Sequence, residues 1–270
     1  MLLKEITELL EKKLSPKLFR LNSEVYGIQY GQINKMKLIK KVMFTVDLSL
    51  KAIHFAVKNK INLIISHHGL INNPIQKFNQ NMVNKLSLLS NYPCSIFILN
   101  SSFIAAEGGI SDTLSEVLYL KLDRTFNIKN KNGEKVPIGR ICLPKKYPNQ
   151  NGSFNLEDLI KRIKLNMDIK RVLYVGDLNK QIRKICVLGG EISNKKYIEK
   201  SIKYGCDCYI SGRINYYDAI FARDIGFCLI EICHYNNEIL ALKKLCNIMS
   251  LEFPHDEFFL FESKNPLKTY

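Results

Sequence analysis

Two adjacent histidines, His67 and His68, follow a run of apolar residues and are the first side chains that could do chemistry. The stretch 61–69 reads Ile-Asn-Leu-Ile-Ile-Ser-His-His-Gly, which predicts a buried strand that ends at the histidines. Because successive strand residues point to opposite faces, both imidazoles reach one site only if the backbone turns, and Gly69 permits that turn. The carboxyl end of such a strand is where α/β sheets bind ligands, and imidazole suits Zn, Fe, Mn or Ni. The alternative is a pair of loop histidines hydrogen-bonded to the backbone.

A second cluster combines a histidine with a carboxylate. His234 and Glu238 lie in the sequence Cys-His-Tyr-Asn-Asn-Glu over 233–238, directly after a predicted strand, Cys228–Cys233. Side chains four residues apart lie about one turn apart on one face of a helix, so the pair can hold one ion. The alternative is a solvated surface pair. Together with the first pair of histidines, the cluster predicts a metal site built from two halves of the chain.

Apolar runs and helical spacings alternate along the chain around both clusters. Strands are predicted over Val42–Val46, Ile61–Ser66, Ser95–Leu99, Arg171–Val175, Lys184–Leu188, Cys208–Ile210 and Cys228–Cys233. Helices are predicted over Leu50–Asn59, Phe78–Ser90, Ile110–Leu120, Leu156–Met167, Asn194–Tyr204, Tyr216–Arg223 and Asn236–Met249. Short connections favour right-handed βαβ units. The sequence therefore predicts an α/β protein of two similar lobes, with mainly parallel sheets and the metal site between them.

The stretch 121–152 loses this periodicity. Lys129–Lys135 is charged and turn-rich, and Pro137 and Pro144 break any helix. We therefore expect a first α/β lobe over residues 1–125, carrying the paired histidines, and a second lobe over residues 126–270, carrying the histidine and carboxylate of the second cluster.

The formal net charge is +15 at pH 7, from 40 Lys and Arg against 25 Asp and Glu. A clustered excess of cations would indicate nucleic acid or an anionic substrate as a partner. The lysines are instead spread over the whole chain. We therefore expect a solvated, Lys-rich surface and no dedicated nucleic-acid surface.

The composition is typical of a globular chain, with 46% hydrophobic residues. No apolar run is long enough to cross a bilayer, so no membrane span is expected. The eight cysteines form no CxxC pair, which is typical of reduced thiols in a cytosol, so a cytoplasmic protein is predicted. Three acids in the first helical stretch, Glu5, Glu8 and Glu11, argue against a signal or transit peptide.

Six short motifs occur in a fixed order along the chain. They are Asp47 with Ser49 and Ala56, Ile-Ile-Ser-His-His-Gly over 64–69, Ala-Ala-Glu-Gly-Gly-Ile-Ser-Asp over 105–112, Ile-Gly-Arg-Ile over 138–141, Cys-Tyr-Ile-Ser-Gly over 208–212 and Cys-His-Tyr-Asn-Asn-Glu over 233–238. This order resembles the GTP cyclohydrolase I type 2 homologue family. The resemblance implies a two-lobed α/β protomer, a toroidal homohexamer and a dinuclear metal site that faces the interior of the ring.

The resemblance implies metal ligands at His67, His68, His234 and Glu238. The family's fifth ligand, an aspartate that bridges two ions, falls on Ile104, which cannot bind a cation. One carboxylate then has to offset the repulsion of two dications a few ångströms apart, which costs several kcal/mol. We therefore predict that the site binds at most one dication tightly.

The alternative is that a nearby acid, such as Glu107, restores the bridge between two ions.

Two further residues are predicted to bind substrate. Asp47 lies at a strand end, where it lines the pocket or caps the helix that starts at Ser49. Arg213 stands where the family has an acid, and it either holds a substrate phosphate or is a surface arginine.

Two classes of function follow from these residues. The first is a metal-dependent hydrolase of a nucleotide-like or related small substrate, in which the bound ion activates water. The second is a non-catalytic ring that keeps the family scaffold and serves in binding or assembly. The missing carboxylate at Ile104 is the observation that favours the second.

Overall fold

Two β-sheets with helices packed against them carry the motifs described above. The computed structural model describes residues 1–21, 24–31, 34, 36–147, 152–190 and 194–267. Within these ranges, one sheet has five strands and the other has six. No helix of the described residues is long and apolar enough to cross a membrane.

The five-stranded sheet is built mainly from the N-terminal half. Its strands are β1 (Gly27–Tyr30), β2 (Lys41–Thr45), β3 (Leu63–Ser66), β4 (Ser95–Ile98) and β11 (Glu257–Phe261), in the order β1-β4-β3-β2-β11. The four strands from β4 to β11 are parallel, and β1 is antiparallel to β4. The helices of this half are α1 (Leu3–Leu9), α2 (Leu50–Lys58), α3 (Gln80–Ser90), α4 (Asn100–Ala105) and α5 (Ile110–Val117).

The six-stranded sheet is built from the second half. Its strands are β5 (Leu120–Lys129), β6 (Lys135–Pro144), β7 (Leu173–Val175), β8 (Ile185–Leu188), β9 (Cys208–Ser211) and β10 (Cys228–Glu231), in the order β5-β6-β8-β9-β10-β7. Only β8, β9 and β10 run parallel to one another. The helices are α6 (Leu156–Met167), α7 (Lys195–Lys203), α8 (Tyr216–Asp224) and α9 (His234–Glu252).

The predicted α/β class is confirmed: each sheet has a parallel set of strands, joined by antiparallel β1 in the first sheet and by antiparallel β6 and β7 in the second. The strand that precedes the paired histidines, β3, lies between β2 and β4 and is buried along its whole length. Leu63 and Ile65 enter one apolar cluster and Ile64 enters another. A parallel strand covered on both faces is apolar throughout, which is why the sequence shows a continuous run there.

The aperiodic stretch 121–152 contains a long antiparallel hairpin, β5–β6, and its residues 148–151 lie outside the described residues. Pro137 lies inside β6, where a proline removes a ladder hydrogen bond. The pairing with β5 is irregular there, because the register jumps between Phe126 and Ile128. Proline is tolerated at such bulges. The hairpin therefore depends on cross-strand pairing, which periodicity does not reveal.

The elements that were not predicted include α4 and β11. α4 follows β4 directly and carries Ile104. β11 returns from the C-terminal end of the chain to pair with β2, so the first sheet takes a strand from the second half. The division of the chain near residue 125 stays a prediction, and β5 runs across that position.

All eight cysteines are free, and seven of them are buried. Burial raises the pKa of the Cys142 thiol to about 11 and that of Cys206 to about 12. Buried, protonated thiols are poor nucleophiles. The half-buried exception is Cys233, the residue before His234.

Candidate metal centre

The paired histidines lie where β3 ends and the backbone turns. The hydroxyl of Ser66 donates a hydrogen bond to the carbonyl oxygen of His68 at 2.7 Å, which closes the turn. The backbone N–H groups of His67 and His68 donate hydrogen bonds to the carbonyl oxygens of Thr45 and Val46, at 3.0 and 2.9 Å. These bonds extend the pairing of β3 with β2. The two imidazole centroids lie 4.6 Å apart with their planes at 59°. Both rings therefore reach one site, as the hypothesis requires.

The second cluster lies at the start of α9, which begins at His234 and thus two residues before the predicted start. Glu238 is fully buried. Its Oε1 atom lies 3.2 Å from Nε2 of His67, 3.2 Å from Nε2 of His234 and 3.6 Å from Nε2 of His68. The ring of His234 also stacks on that of His68, with centroids 5.2 Å apart. One carboxylate oxygen therefore lies among three imidazoles from two separate parts of the chain.

The histidines and Glu238 suit a divalent cation, because several of their buried polar atoms have no hydrogen-bond partner. Among the described residues, both oxygens of Glu238 and Nδ1 of His67 are buried without a hydrogen-bond partner. Ligand atoms of His67, His68 and Glu238 all lie within 4.8 Å of one another, and His234 approaches this set through Glu238. Imidazole nitrogens and one carboxylate are a donor set for Zn, Fe, Mn or Ni.

The charge of Glu238 is the main electrostatic feature of the site. Burial by itself raises the pKa of this carboxyl, but the imidazoles of His67, His68 and His234 more than offset that effect and lower the pKa below its ordinary value. The group is therefore an ionised carboxylate in the protein interior at neutral pH. A buried charge is costly unless it is paired or coordinates a metal.

Asp47 orients one of the imidazoles. Its Oδ1 lies 2.8 Å from Nδ1 of His68, which leaves Nε2 of that ring directed toward Glu238. Burial raises the pKa of Asp47, but the hydrogen bond with His68 and the nearby imidazoles lower it overall. The alternative role predicted for Asp47 was to cap the next helix. Ser49 caps that helix instead, because its Oγ accepts the N–H of Ala52 at 3.1 Å. Binding of substrate by Asp47 stays a prediction.

Removal of the Asp47 carboxylate tests whether it orients the ring of His68. We expect Asp47→Ala to lower the affinity for a divalent cation by about 10- to 100-fold at unchanged stoichiometry, because ligand-orienting partners have effects of that size. The measurement is a competition titration against a chromophoric chelator. Asp224→Ala, which removes an exposed aspartate elsewhere on the surface, is the control. Equal affinities in the two variants would contradict the role.

Ile104 lies in the site, as the resemblance implies. It lines a cavity of about 320 Å³ together with the three histidines and Glu238, and its side chain is 4% exposed. Gly190 packs against it: a Cβ atom there would lie 2.5 Å from Cδ1 of Ile104, and the residue has a φ of +75°. Gly190 therefore serves close packing on the apolar wall of the site.

The helix that carries Ile104 is fixed by a buried ion pair between two of the sequence motifs. Arg140 pairs with Asp112 and donates to the carbonyl oxygens of Ala105 and Ala106 at 3.2 and 3.0 Å. Gly109 lies in the same turn, where a Cβ atom would approach the carbonyl oxygen of Phe103 to 2.0 Å. The motifs over 105–112 and 138–141 thus position the wall of the cavity.

The other predicted residues lie elsewhere. Arg213 and Glu107 are exposed, and neither lines the cavity. The role of Arg213 in substrate binding stays a prediction. Sequence reasoning missed a different acid, Glu24, which does line the cavity and which no motif marks. A second cavity of about 590 Å³ lies next to the first and shares His68, Asn72 and His234 with it.

Two mixed sheets, with imidazoles and a buried carboxylate that meet where strands end, define an α/β protein with a candidate metal centre. The chain belongs to the family described as Duf34/NIF3 (NGG1p interacting factor 3), which matches residues 1–266. A relative from Methanocaldococcus jannaschii, named GTP cyclohydrolase 1 type 2 homolog, is 28% identical over 254 residues, which cover 92% of this chain and 94% of the relative. One of the same name from Clostridium perfringens is 25% identical over 247 residues and 90% of each chain. The predicted family resemblance is thus confirmed.

Solved structures share the fold. Reduced HcgD from Methanocaldococcus jannaschii superposes with a TM-score of 0.79 at 26% identity, over 97% of this chain and 98% of that one. A Bacillus cereus protein related to NIF3 gives a TM-score of 0.83 at 17% identity, over 100% and 99% of the two chains. The second likeness concerns the fold alone.

Proposed function

We propose that this chain binds a divalent metal ion and uses it to hydrolyse a nucleotide-like or related small substrate. The observation that carries the proposal is Glu238, an ionised carboxylate that is fully buried among three imidazoles and has no hydrogen-bond partner among the described residues. A buried carboxylate is costly unless it is paired or coordinates a metal, and a cation bound beside Glu238 would lower the free energy of the folded protein further. Zn, Fe, Mn and Ni all suit this donor set.

The roles of the side chains follow from their burial. A divalent cation, when bound, supplies an activated water for hydrolysis. His67 and Glu238 are buried and would hold the ion from the protein side. His68 is oriented by Asp47, and the more exposed His234 lies at the junction of the two cavities. The cavity of about 320 Å³ beside these side chains has room for a small ligand.

The alternative, a non-catalytic ring for binding or assembly, rests on Ile104 alone. It is not favoured, because a scaffold without a metal has no use for a buried carboxylate and three imidazoles directed at one point. The loss of one bridging carboxylate removes support for a second ion and leaves the first donor set complete.

The test is metal content and hydrolysis in one preparation. We expect protein purified without chelator to contain about one divalent ion per chain by elemental analysis, since the donor set suits one four-coordinate ion. The same protein should hydrolyse a member of a panel of nucleotides and phosphoesters, and His67→Ala should lose both properties. His54→Ala, which removes an exposed helix histidine, is the control. Absence of both metal and hydrolysis in the unmodified chain would overturn the proposal and favour the alternative.

We further propose that the chain assembles as a homohexameric ring. Support comes from the family resemblance and from apolar side chains on the surface, such as Leu173, Tyr217 and Leu251, which is 81% exposed. Light scattering is expected to give the mass of six chains. A monodisperse monomer at micromolar concentration would rule this assembly out. The predicted cytoplasmic location rests on the cysteine pattern and stays a prediction.

A further inference from the structure

The six-stranded sheet ends at β7, a strand that has a neighbour on only one side. β7 pairs antiparallel with β10 through Leu173, Tyr174 and Val175. Among the described residues, no strand and no other backbone hydrogen bond occupies its outer edge. An unpaired edge presents N–H and C=O groups to any extended chain that reaches it. These three residues line neither cavity at the candidate metal centre, so that site leaves the edge unused.

Exposed apolar side chains surround this edge. Leu173 is 68% exposed and lies opposite Glu231 in the sheet register. Oε2 of Glu231 accepts the N–H of Ile214 at 2.8 Å, which brings the start of α8 beside the strand. There Tyr216 and Tyr217 are 75% and 81% exposed, and their ring centroids lie 5.9 Å apart. We call Leu173, Tyr174, Tyr216 and Tyr217 the β7 surface.

The β7 surface has the composition of a protein interface. Exposed apolar patches mark interaction sites, and tyrosine is enriched where proteins meet. An interface of ordinary size takes about 800 Å² from each partner, which a strand of three residues does not supply alone. Each aromatic side chain buries roughly 150–250 Å² when it is covered, so the tyrosines add the area that the short strand lacks.

Two unlike charges flank the strand symmetrically. Arg171 lies three residues before Tyr174 and Asp177 lies three residues after it, and both are exposed. Within the part of the chain that the structure describes, neither has an oppositely charged group within 4.0 Å. The hydrogen bond of Asp177 is local, because its Oδ1 accepts the N–H of Asn179 at 2.9 Å. A copy of this strand placed antiparallel would set each arginine opposite the aspartate of the other copy.

The side chains allow only one register for such a pair. Residues opposite one another in an antiparallel pair share a face, so a two-fold axis must pass through a residue. An axis at Leu173 would place Arg171 opposite Val175, and an axis at Val175 would place Leu173 opposite Asp177. An axis at Tyr174 instead pairs Leu173 with Val175 and the two unlike charges with each other.

We propose that the outer edge of β7 is an interface between two copies of this chain, which pair antiparallel across a two-fold axis at Tyr174 and join their six-stranded sheets into one. The inference names a contact for the homohexamer proposed above and so rests partly on that assembly, although the same contact also makes a dimer. The axis leaves both α8 helices on one face of the joined sheet. An extended segment of another protein would satisfy the backbone groups of the edge, but it has no reason to match charges that are symmetric about Tyr174.

The test exchanges the two charges and measures mass by light scattering at micromolar concentration. Arg171→Asp places two acids opposite each other, and Asp177→Arg places two arginines opposite each other. Because each two-fold contact contains the pair twice, we expect either variant to weaken self-association about tenfold or more. The double variant should associate like the unmodified chain. An equimolar mixture of the two single variants should also associate, since each contact between unlike copies then joins opposite charges.

Two further variants complete the test. Arg124→Asp, on β5 at the opposite edge of the same sheet, is the control and should associate like the unmodified chain. Leu173→Lys should abolish association even in 1 M NaCl, whereas the effect of the charge exchanges should fade there through screening. All of these positions are exposed, and circular dichroism checks that each variant is folded.

The outcomes separate this interface from the hexamer. Normal association of Leu173→Lys or of both charge variants, a mixture that stays dissociated, or disruption by Arg124→Asp would overturn the inference. A hexamer that none of the β7 variants changes would overturn the interface and keep the ring. A dimer that the charge exchanges dissociate would keep the interface and exclude the ring. An unmodified chain that is a monomer would overturn both.

Discussion

Replacement of Glu238 by glutamine is expected to abolish tight binding of a divalent cation. The variant keeps the size and shape of the side chain but removes the carboxylate whose Oε1 lies within 3.6 Å of Nε2 of His67, His68 and His234. Because a dication held by neutral imidazoles alone loses a strong interaction in a buried site, we expect the affinity to fall at least about a hundredfold. Titration with Zn²⁺ or Mn²⁺ against a competing chelator measures the change.

The control for this variant is Glu116→Gln. Glu116 is an exposed acid on α5 that pairs with Lys244 of α9 at 2.6 Å and does not line the cavity. The Glu116→Gln variant should bind the cation with the affinity of the unmodified chain. Circular dichroism shows whether Glu238→Gln stays folded, so that loss of metal is not confused with loss of structure. Tight binding by a folded Glu238→Gln protein would place the ion on other ligands.

Replacement of Ile104 by aspartate is expected to raise the metal content from about one ion per chain toward two. An aspartate at this position would add a second carboxylate to the wall that faces Glu238 and so offset the repulsion between two dications. Ile104 is buried against Gly190, so the substitution should also lower the stability of the metal-free protein by about 2–4 kcal/mol. Excess metal should restore much of that loss, since a ligand at 100 times its Kd stabilises by about 2.7 kcal/mol.

Ile104→Asn separates charge from packing. Asparagine has nearly the shape of aspartate without its charge, so it should destabilise the protein to a similar extent and leave the metal content at about one. Elemental analysis and thermal unfolding with and without metal provide the two measurements. Two ions in the unmodified chain, or one ion in Ile104→Asp, would contradict the account of Ile104 as the missing bridge.

Local patterns were enough to predict several parts of the site. The apolar run before His67 identified a buried strand, because a parallel strand covered on both faces is apolar at every position. The four-residue spacing of His234 and Glu238 placed both on one helical face, since that spacing is close to one turn. The isoleucine in place of the family's aspartate could also be read from the motif order.

Elements that depend on distant pairing were not predicted. The stretch 121–152 shows no periodicity, yet β5 and β6 form within it because each satisfies the other's backbone groups. β11 joins the first sheet from the far end of the chain. Neither pairing is encoded in a local window, because the partner strand supplies the hydrogen bonds that stabilise the extended backbone.

The sequence by itself determined the family, through the order of motifs along the chain. It also predicted the alternation of strands and helices and the residue types of the candidate metal centre, since these follow from neighbours within a few positions. Only the tertiary structure decided that Glu238 lies 3.2 Å from His67, that Asp47 orients His68, and that Glu24 faces the same cavity as Ile104. These contacts join side chains far apart in the chain. Their geometry depends on how two sheets and their helices pack, and packing is a property of the whole fold.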